Sequence, residues 1–170
     1  MRHFGRALRW FYRSKCRYFV IPMAKTDKEI FYSQGLRFSC VRCSDCCRIG
    51  PGYVFLSRND VNLLAKGLKM KYIDIVEKYC RWVLIDGKKQ LSLTEKPGFD
   101  CIFWQEGCKV YPYRPLQCRT FPFWESTLCT RKAWEGLSCP GVGKGKLHDR
   151  EYIENCLVQR RAEPILTRGA

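Results

Sequence analysis

Apolar residues recur along this chain with two different spacings, and the spacings assign its elements. Leu63, Leu64 and Leu68 follow Asn59 at helical intervals. Ser57 and Asp60 precede them as a capping box in which Asp stands for the usual Glu or Gln. Tyr72, Ile75, Val76 and Tyr79 keep the same three-and-four spacing and predict a second helix. Residues 53–56 read as a short strand. Residues 83–85 and 90–93 read as the arms of a hairpin around Asp86-Gly87, a pair that accepts positive φ. Further on, Tyr152, Ile153, Cys156 and Leu157 predict a last helix capped by Asp149, with a frayed tail from Pro164. The stretch 97–125 holds four prolines and therefore no long helix; turns and short strands fit it better. Gly141, Gly143 and Gly145 read as a flexible loop, since GVGKGK lacks the spacing of a phosphate-binding loop.

The N-terminal stretch has its own pattern. Arg2, Arg6, Arg9, Arg13 and Arg17 fall on one helical face, with Phe4, Leu8, Phe11, Tyr12 and Phe19 on the other. Residues 1–25 thus predict a basic amphipathic helix, suited either to an anionic membrane interface or to docking on the domain through its aromatic side. Residues 26–37 read as a connector, 38–145 as the central domain, and 146–170 as a C-terminal helix and tail.

Composition adds one constraint and one question. With 170 residues and 46% apolar content, the chain can bury a core. Its 31 Lys and Arg against 16 Asp and Glu give a net charge of +15, which favours an anionic partner: a membrane surface, a nucleic acid or an acidic protein. Neither a secretion signal nor an apolar stretch long enough to span a bilayer is visible, so the expected compartment is the reducing cytoplasm, with peripheral membrane association through residues 1–25.

In that compartment the clustered cysteines among the 12 read as metal ligands or redox centres rather than structural bridges. Cys40, Cys43, Cys46 and Cys47 lie within FSCVRCSDCCR, a run too dense in cysteine for regular structure. A C-x2-C turn points two sulfurs at one ion. Adjacent cysteines point apart in most backbones, so Cys46 and Cys47 are expected to serve different metals or different edges of one cluster. Cys101, Cys108, Cys118 and Cys139 are the candidates for the remaining ligands. With only two histidines, neither near a cysteine in sequence, the donor set is sulfur, which selects zinc, iron–sulfur or copper(I). Arg42, Arg48, Arg114 and Arg119 stand beside the proposed ligands, where they could offset thiolate charge. Cys16, Cys80, Cys129 and Cys156 stand alone and read as inert thiols, Cys80 and Cys156 on helices.

FSCVRCSDCC, CIFWQEGCKVYPYRPLQCRTFPF and CPGVGKG, in this order, resemble the YkgJ-type CxxCxxCC cysteine-cluster family, a zinc- or iron-chelating domain, over about residues 38–145. The resemblance implies Cys40, Cys43, Cys46, Cys47, Cys101, Cys108, Cys118 and Cys139 as ligands and zinc or iron, including an iron–sulfur cluster, as cofactor. The domain also resembles that of flagellin lysine N-methylases, whose additional regions have no counterpart here. The expected fold is a small irregular α+β domain, stabilised by metal, with its cysteine-rich loops gathered together. Three functions remain open: a metal-binding protein without turnover; an iron–sulfur oxidoreductase or protein-modifying enzyme, with Tyr111, Tyr113, Arg119 and Glu125 as polar pocket residues; and a zinc-stabilised module that binds nucleic acid or a membrane surface. The amphipathic reading predicts that removing residues 1–25 abolishes flotation with anionic liposomes; equal recovery of the full and shortened chains would exclude it.

Overall fold

A computed structural model describes residues 30–48 and 50–169; the helix expected over residues 1–25 lies outside the described residues. In chain order the elements are β1 (Leu36–Phe38), α1 (Asp45–Arg48), α2 (Arg58–Leu68), α3 (Tyr72–Tyr79), β2 (Cys80–Ile85), β3 (Lys88–Leu93), a 3-10 turn (Tyr111–Tyr113), α4 (Leu116–Arg119), α5 (Glu125–Leu128), α6 (Arg131–Glu135), β4 (Val142–His148), α7 (Arg150–Ala162) and β5 (Thr167–Arg168). Helices and antiparallel sheets coexist, as the α+β reading expects. The chain forms two compact units. One holds the described residues up to Cys43 with Pro122–Gln159; the other holds Ser44–Phe121 and the residues from Arg160 on.

The larger unit is built on two helices and a hairpin. Ser57 Oγ accepts from the Asp60 N–H at 3.1 Å and Asp60 Oδ2 accepts from the Ser57 N–H at 3.0 Å, so the capping box closes with Asp in the Glu position. Leu56, Val61, Leu64, Ile75 and Leu91 are fully buried between the helices and the sheet. The hairpin pairs Trp82 with Leu91 and Ile85 with Lys88, leaving Asp86 (φ 48°) and Gly87 (φ 75°) as a two-residue turn with both residues left-handed.

Two corrections fall in this unit. Cys80 is the first residue of β2 and does not sit on a helix. The tail beyond Pro164 is not frayed: Leu166 accepts from the Leu91 N–H and donates to the Leu56 carbonyl, each at 2.9 Å, and β5 then pairs with β3. The unpaired edge of β3 supplies backbone partners that outweigh the entropy of a loose tail. Residues 53–56 lie extended along β3, with Leu56 N–H on Leu91 O and Leu93 N–H on Val54 O, both at 3.0 Å.

The smaller unit is an aromatic core under a two-stranded ribbon. Phe123 sits among Phe38, Trp134, His148 and Tyr152 with ring centroids 5.1 to 6.0 Å away. Asp149 caps α7 as expected, its Oδ1 accepting from the Tyr152 N–H at 2.8 Å. The glycine run is not a loop: residues 142–148 form β4, antiparallel to β1, whose residues fall partly in the expected connector. Gly145 (φ 72°) allows this, because a Cβ there would overlap Ser39 Oγ, the group that accepts the Lys146 N–H at 2.9 Å.

Leu64 has no exposed surface. Leu64→Ala is expected to cost about 3 kcal/mol in urea unfolding of the full chain.

Candidate metal centre

Three local structures of the larger unit carry the candidate ligand thiols. The first is α1, a single helical turn in the segment read as too cysteine-dense for regular structure. Ser44 at φ 67° bends the chain into it, and the Cys47 N–H closes it on Ser44 O at 2.8 Å. Successive side chains on a helix diverge by about 100°, yet Cys46 Sγ and Cys47 Sγ stand 3.9 Å apart. The expectation that the adjacent pair points apart therefore fails. A tetrahedral ion with sulfur at about 2.3 Å separates its ligands by about 3.8 Å, and the separation of this pair matches that edge length.

The second structure is a repeated turn. Cys101 O accepts from the Trp104 N–H at 2.9 Å, and Cys108 O accepts from the Tyr111 N–H at 3.2 Å. In each turn the backbone N–H two residues on, of Phe103 and of Val110, is directed to the cysteine sulfur and favours its thiolate. Both cysteines also pack against the hydrophobic core, which fixes them. A hydrogen bond of 2.8 Å from the Cys101 N–H to Cys47 O ties the first turn to α1.

The third structure is α4, which carries Cys118. Pro112 and Pro115 restrict the neighbouring segments to single turns. A four-residue helix cannot hold itself by its backbone alone, and side-chain hydrogen bonds, one of them from Asp60 outside it, do so. Asp60 Oδ1 accepts the Leu116 N–H at 2.7 Å; Gln117 accepts from the Phe55 N–H at 3.1 Å and donates to Tyr53 O at 2.8 Å; Thr120 Oγ1 donates to Leu116 O at 2.8 Å. No spacing in the sequence marks Asp60 or Gln117 as supports of a cysteine.

The electrostatics show how near these thiols are to one another. Cys46 is lowered to about 7, first by the hydrogen bond from the Cys47 thiol and then by the Arg114 guanidinium, against burial and Asp45. Cys47 is pushed strongly up, first by donating that hydrogen bond, then by burial, and by repulsion from Cys46, Cys101 and Cys118. Burial raises Cys118, and Cys101, Cys46 and Cys108 raise it further, while Arg114 opposes them. Burial likewise raises Cys101 and Cys108, and Cys46 adds to both. Five thiols thus feel each other's charge. Among the described residues no three His, Cys, Asp or Glu side chains are already closed round a metal position. The donor chemistry nonetheless fits a thiophilic cation, because collected thiolates repel one another and a cation between them reverses that sign.

Of the arginines expected to offset thiolate charge, Arg114 does so, acting on Cys46, Cys108 and Cys118. Arg48 instead pairs with Asp100 at 3.4 Å and stacks 4.1 Å over Trp104, and Arg119 lies 3.8 Å from Asp60. Lys96, which sequence reading did not single out, lowers Cys101 and donates its Nζ to Trp104 O. Tyr113, read as a pocket residue, packs against the core, and a Cβ on Gly67 would overlap its ring. Tyr111 is stacked by Arg114 at 3.7 Å. Glu125 opens α5 in the smaller unit.

Cys40, Cys43 and Cys139 fall in the smaller unit, the first two exposed and the third half-exposed. Cys80 fits the inert reading: burial pushes it up to about 12, and its thiol donates to Ile75 O at 3.5 Å. Cys156 is buried on α7. Cys129 departs from that reading, being disulfide-bonded.

A family model described as "Putative zinc- or iron-chelating domain", with the signature CxxCxxCC, matches residues 39–140. The chain belongs to the CxxCxxCC family. Its similarity extends to an uncharacterized protein of Methanocaldococcus jannaschii, 28% identical over 141 residues that cover 76% of this chain and 72% of the relative. No solved structure matches the chain. The CxxCxxCC match takes in all eight cysteines whose spacing carries the resemblance.

Since the Cys47 thiol is the main cause of the low Cys46 value of about 7, Cys47→Ala is expected to move the midpoint of Cys46 alkylation upward, toward the ordinary 9.0. The check is iodoacetamide labelling of the metal-free protein across a pH series, read by peptide mass spectrometry. An unchanged midpoint would remove the hydrogen bond as the cause.

Proposed function

We propose that this CxxCxxCC protein binds one tetrahedral metal ion, zinc or iron, through thiolates drawn from Cys46, Cys47, Cys101, Cys108 and Cys118. The observation that carries the reading is the 3.9 Å separation of Cys46 Sγ and Cys47 Sγ, supported by the mutual charge effects that link this pair with Cys101, Cys108 and Cys118. Two thiolates on one edge suit a single ion. A four-iron cluster takes its cysteines one to each iron, which spreads them wider. Cys40, Cys43 and Cys139, in the smaller unit, are ligand candidates on their spacing in the family signature alone and form no part of this five-thiol reading.

The bound ion would contribute to folding as well as to function. Thiolate ligation of a structural ion is stabilisation that the metal-free chain lacks, so loss of one ligand weakens binding and folding together. An iron–sulfur centre is the second reading, favoured by the C-x2-C-x2-C opening of the motif. Among the described residues no helix is long and apolar enough to cross a membrane. An anionic membrane surface as partner rests on the charge pattern of residues 1–25.

Anaerobic purification with metal analysis and a visible spectrum tests both readings. A colourless protein with close to one zinc per chain, or a single-iron spectrum, supports the first, and a brown oxygen-labile protein with inorganic sulfide supports the second. Cys118→Ser is expected to lose the metal and much of the cooperative unfolding transition, while Cys156→Ser keeps both. Wild-type metal content in Cys118→Ser would overturn the ligand assignment.

A further inference from the structure

Asp60 is 2% exposed, and a carboxylate so buried persists only where donors surround it. Its two oxygens divide the work. Oδ2 takes the Ser57 N–H at 3.0 Å and lies 3.1 Å from Ser57 Oγ, which is the capping box of α2. Oδ1 takes the Leu116 N–H at 2.7 Å, from a residue 56 positions along the chain, with Arg119 Nη2 3.8 Å away. A helix cap alone requires none of the second set. We propose that Asp60 is a positioning residue of the metal centre, which fixes the turn carrying Cys118 through the Leu116 N–H. The inference rests on the reading of Cys118 as a ligand.

The path from Asp60 to the sulfur is short. Leu116 opens α4, and Cys118 lies two residues on in the same turn, its N–H bonded to Pro115 O at 2.9 Å. The first N–H groups of a helix have no partner within it, so Asp60 supplies one from outside. Movement of Leu116 moves Cys118 with it. Groups that orient a metal ligand without touching the ion typically change affinity about 10–100-fold when altered.

The test compares variants of the full-length protein by zinc competition against a chromophoric chelator and by the cobalt(II) charge-transfer spectrum. Asp60→Asn is expected to weaken zinc about 10-fold or more and to diminish the sulfur-to-cobalt band. Ser57→Ala breaks the cap but leaves Oδ1 on Leu116, and is expected to lower the thermal midpoint while keeping wild-type zinc affinity. Should Asp60→Asn yield no folded protein, Leu116→Pro carries the test. It removes the donor at the first helical position, where proline is tolerated, together with the buried Leu116 side chain, so Leu116→Ala, which keeps the N–H, is its control: the same loss of affinity is expected in Leu116→Pro and not in Leu116→Ala. Wild-type affinity in the variant that folds, or equal weakening by Ser57→Ala, would reduce Asp60 to a helix cap and overturn the inference. Cys118→Ser separates the two levels. Full zinc retention there defeats the ligand reading itself, whereas zinc loss there with normal affinity in Asp60→Asn defeats only the positioning role.

Discussion

Crowding of sulfur is the constraint around which the larger unit is organised. Cys46, Cys47, Cys101, Cys108 and Cys118 are close enough that each ionisation opposes others, and burial opposes most of them further. A chain selected only for a well-packed core has no reason to bring five such groups together, since thiols elsewhere in the core are isolated, as Cys80 and Cys156 are. The arrangement becomes favourable once a cation stands among the sulfurs, because the Coulomb terms that cost free energy in the metal-free protein then change sign.

The fold meets this constraint with scaffolding that is mostly backbone. Cys101 and Cys108 head two like turns whose N–H groups face sulfur and whose side chains rest on the core of Leu56, Leu64, Ile75 and Leu91. Cys118 rides on a turn too short to persist alone, held by Asp60 and Gln117. Cys46 and Cys47 sit on α1, tied to Cys101 by one backbone hydrogen bond, and Cys46 remains exposed. Arg48 at the end of α1 adds its ion pair with Asp100 and its stacking on Trp104, so all three parts are anchored by long-range contacts.

Sequence pattern located the elements whose information is local. The Ser57–Asp60 box, the helix after it, the Asp86-Gly87 hairpin and the Asp149 cap all follow from residues a few positions apart. The errors share a different character. β5, β4 and the start of β2 exist because a distant strand offers hydrogen bonds, and neither the glycines of 141–145 nor the tail after Pro164 carries that information locally. The same holds at the site. Cysteine spacing singled out eight sulfurs, five of which fall in the larger unit and feel one another's charge, but the groups around those five, Asp60 on the Leu116 N–H 56 residues away and Lys96 acting on Cys101, leave no mark in any local motif.

Charge closes the account of the centre. Of the arginines adjacent to cysteines in sequence, Arg48 and Arg119 are directed at Asp100 and Asp60, so proximity along the chain overstates compensation. Arg114 acts on three of the thiols, and Lys96 on a fourth. Four thiolates round a divalent ion carry a charge of about −2, and these two cations bring it close to neutral. With such an ion bound, balance would take only two of the 31 basic residues. Electrostatic neutrality of the centre and the large positive charge of the chain are separate properties, and the excess is not explained by the metal.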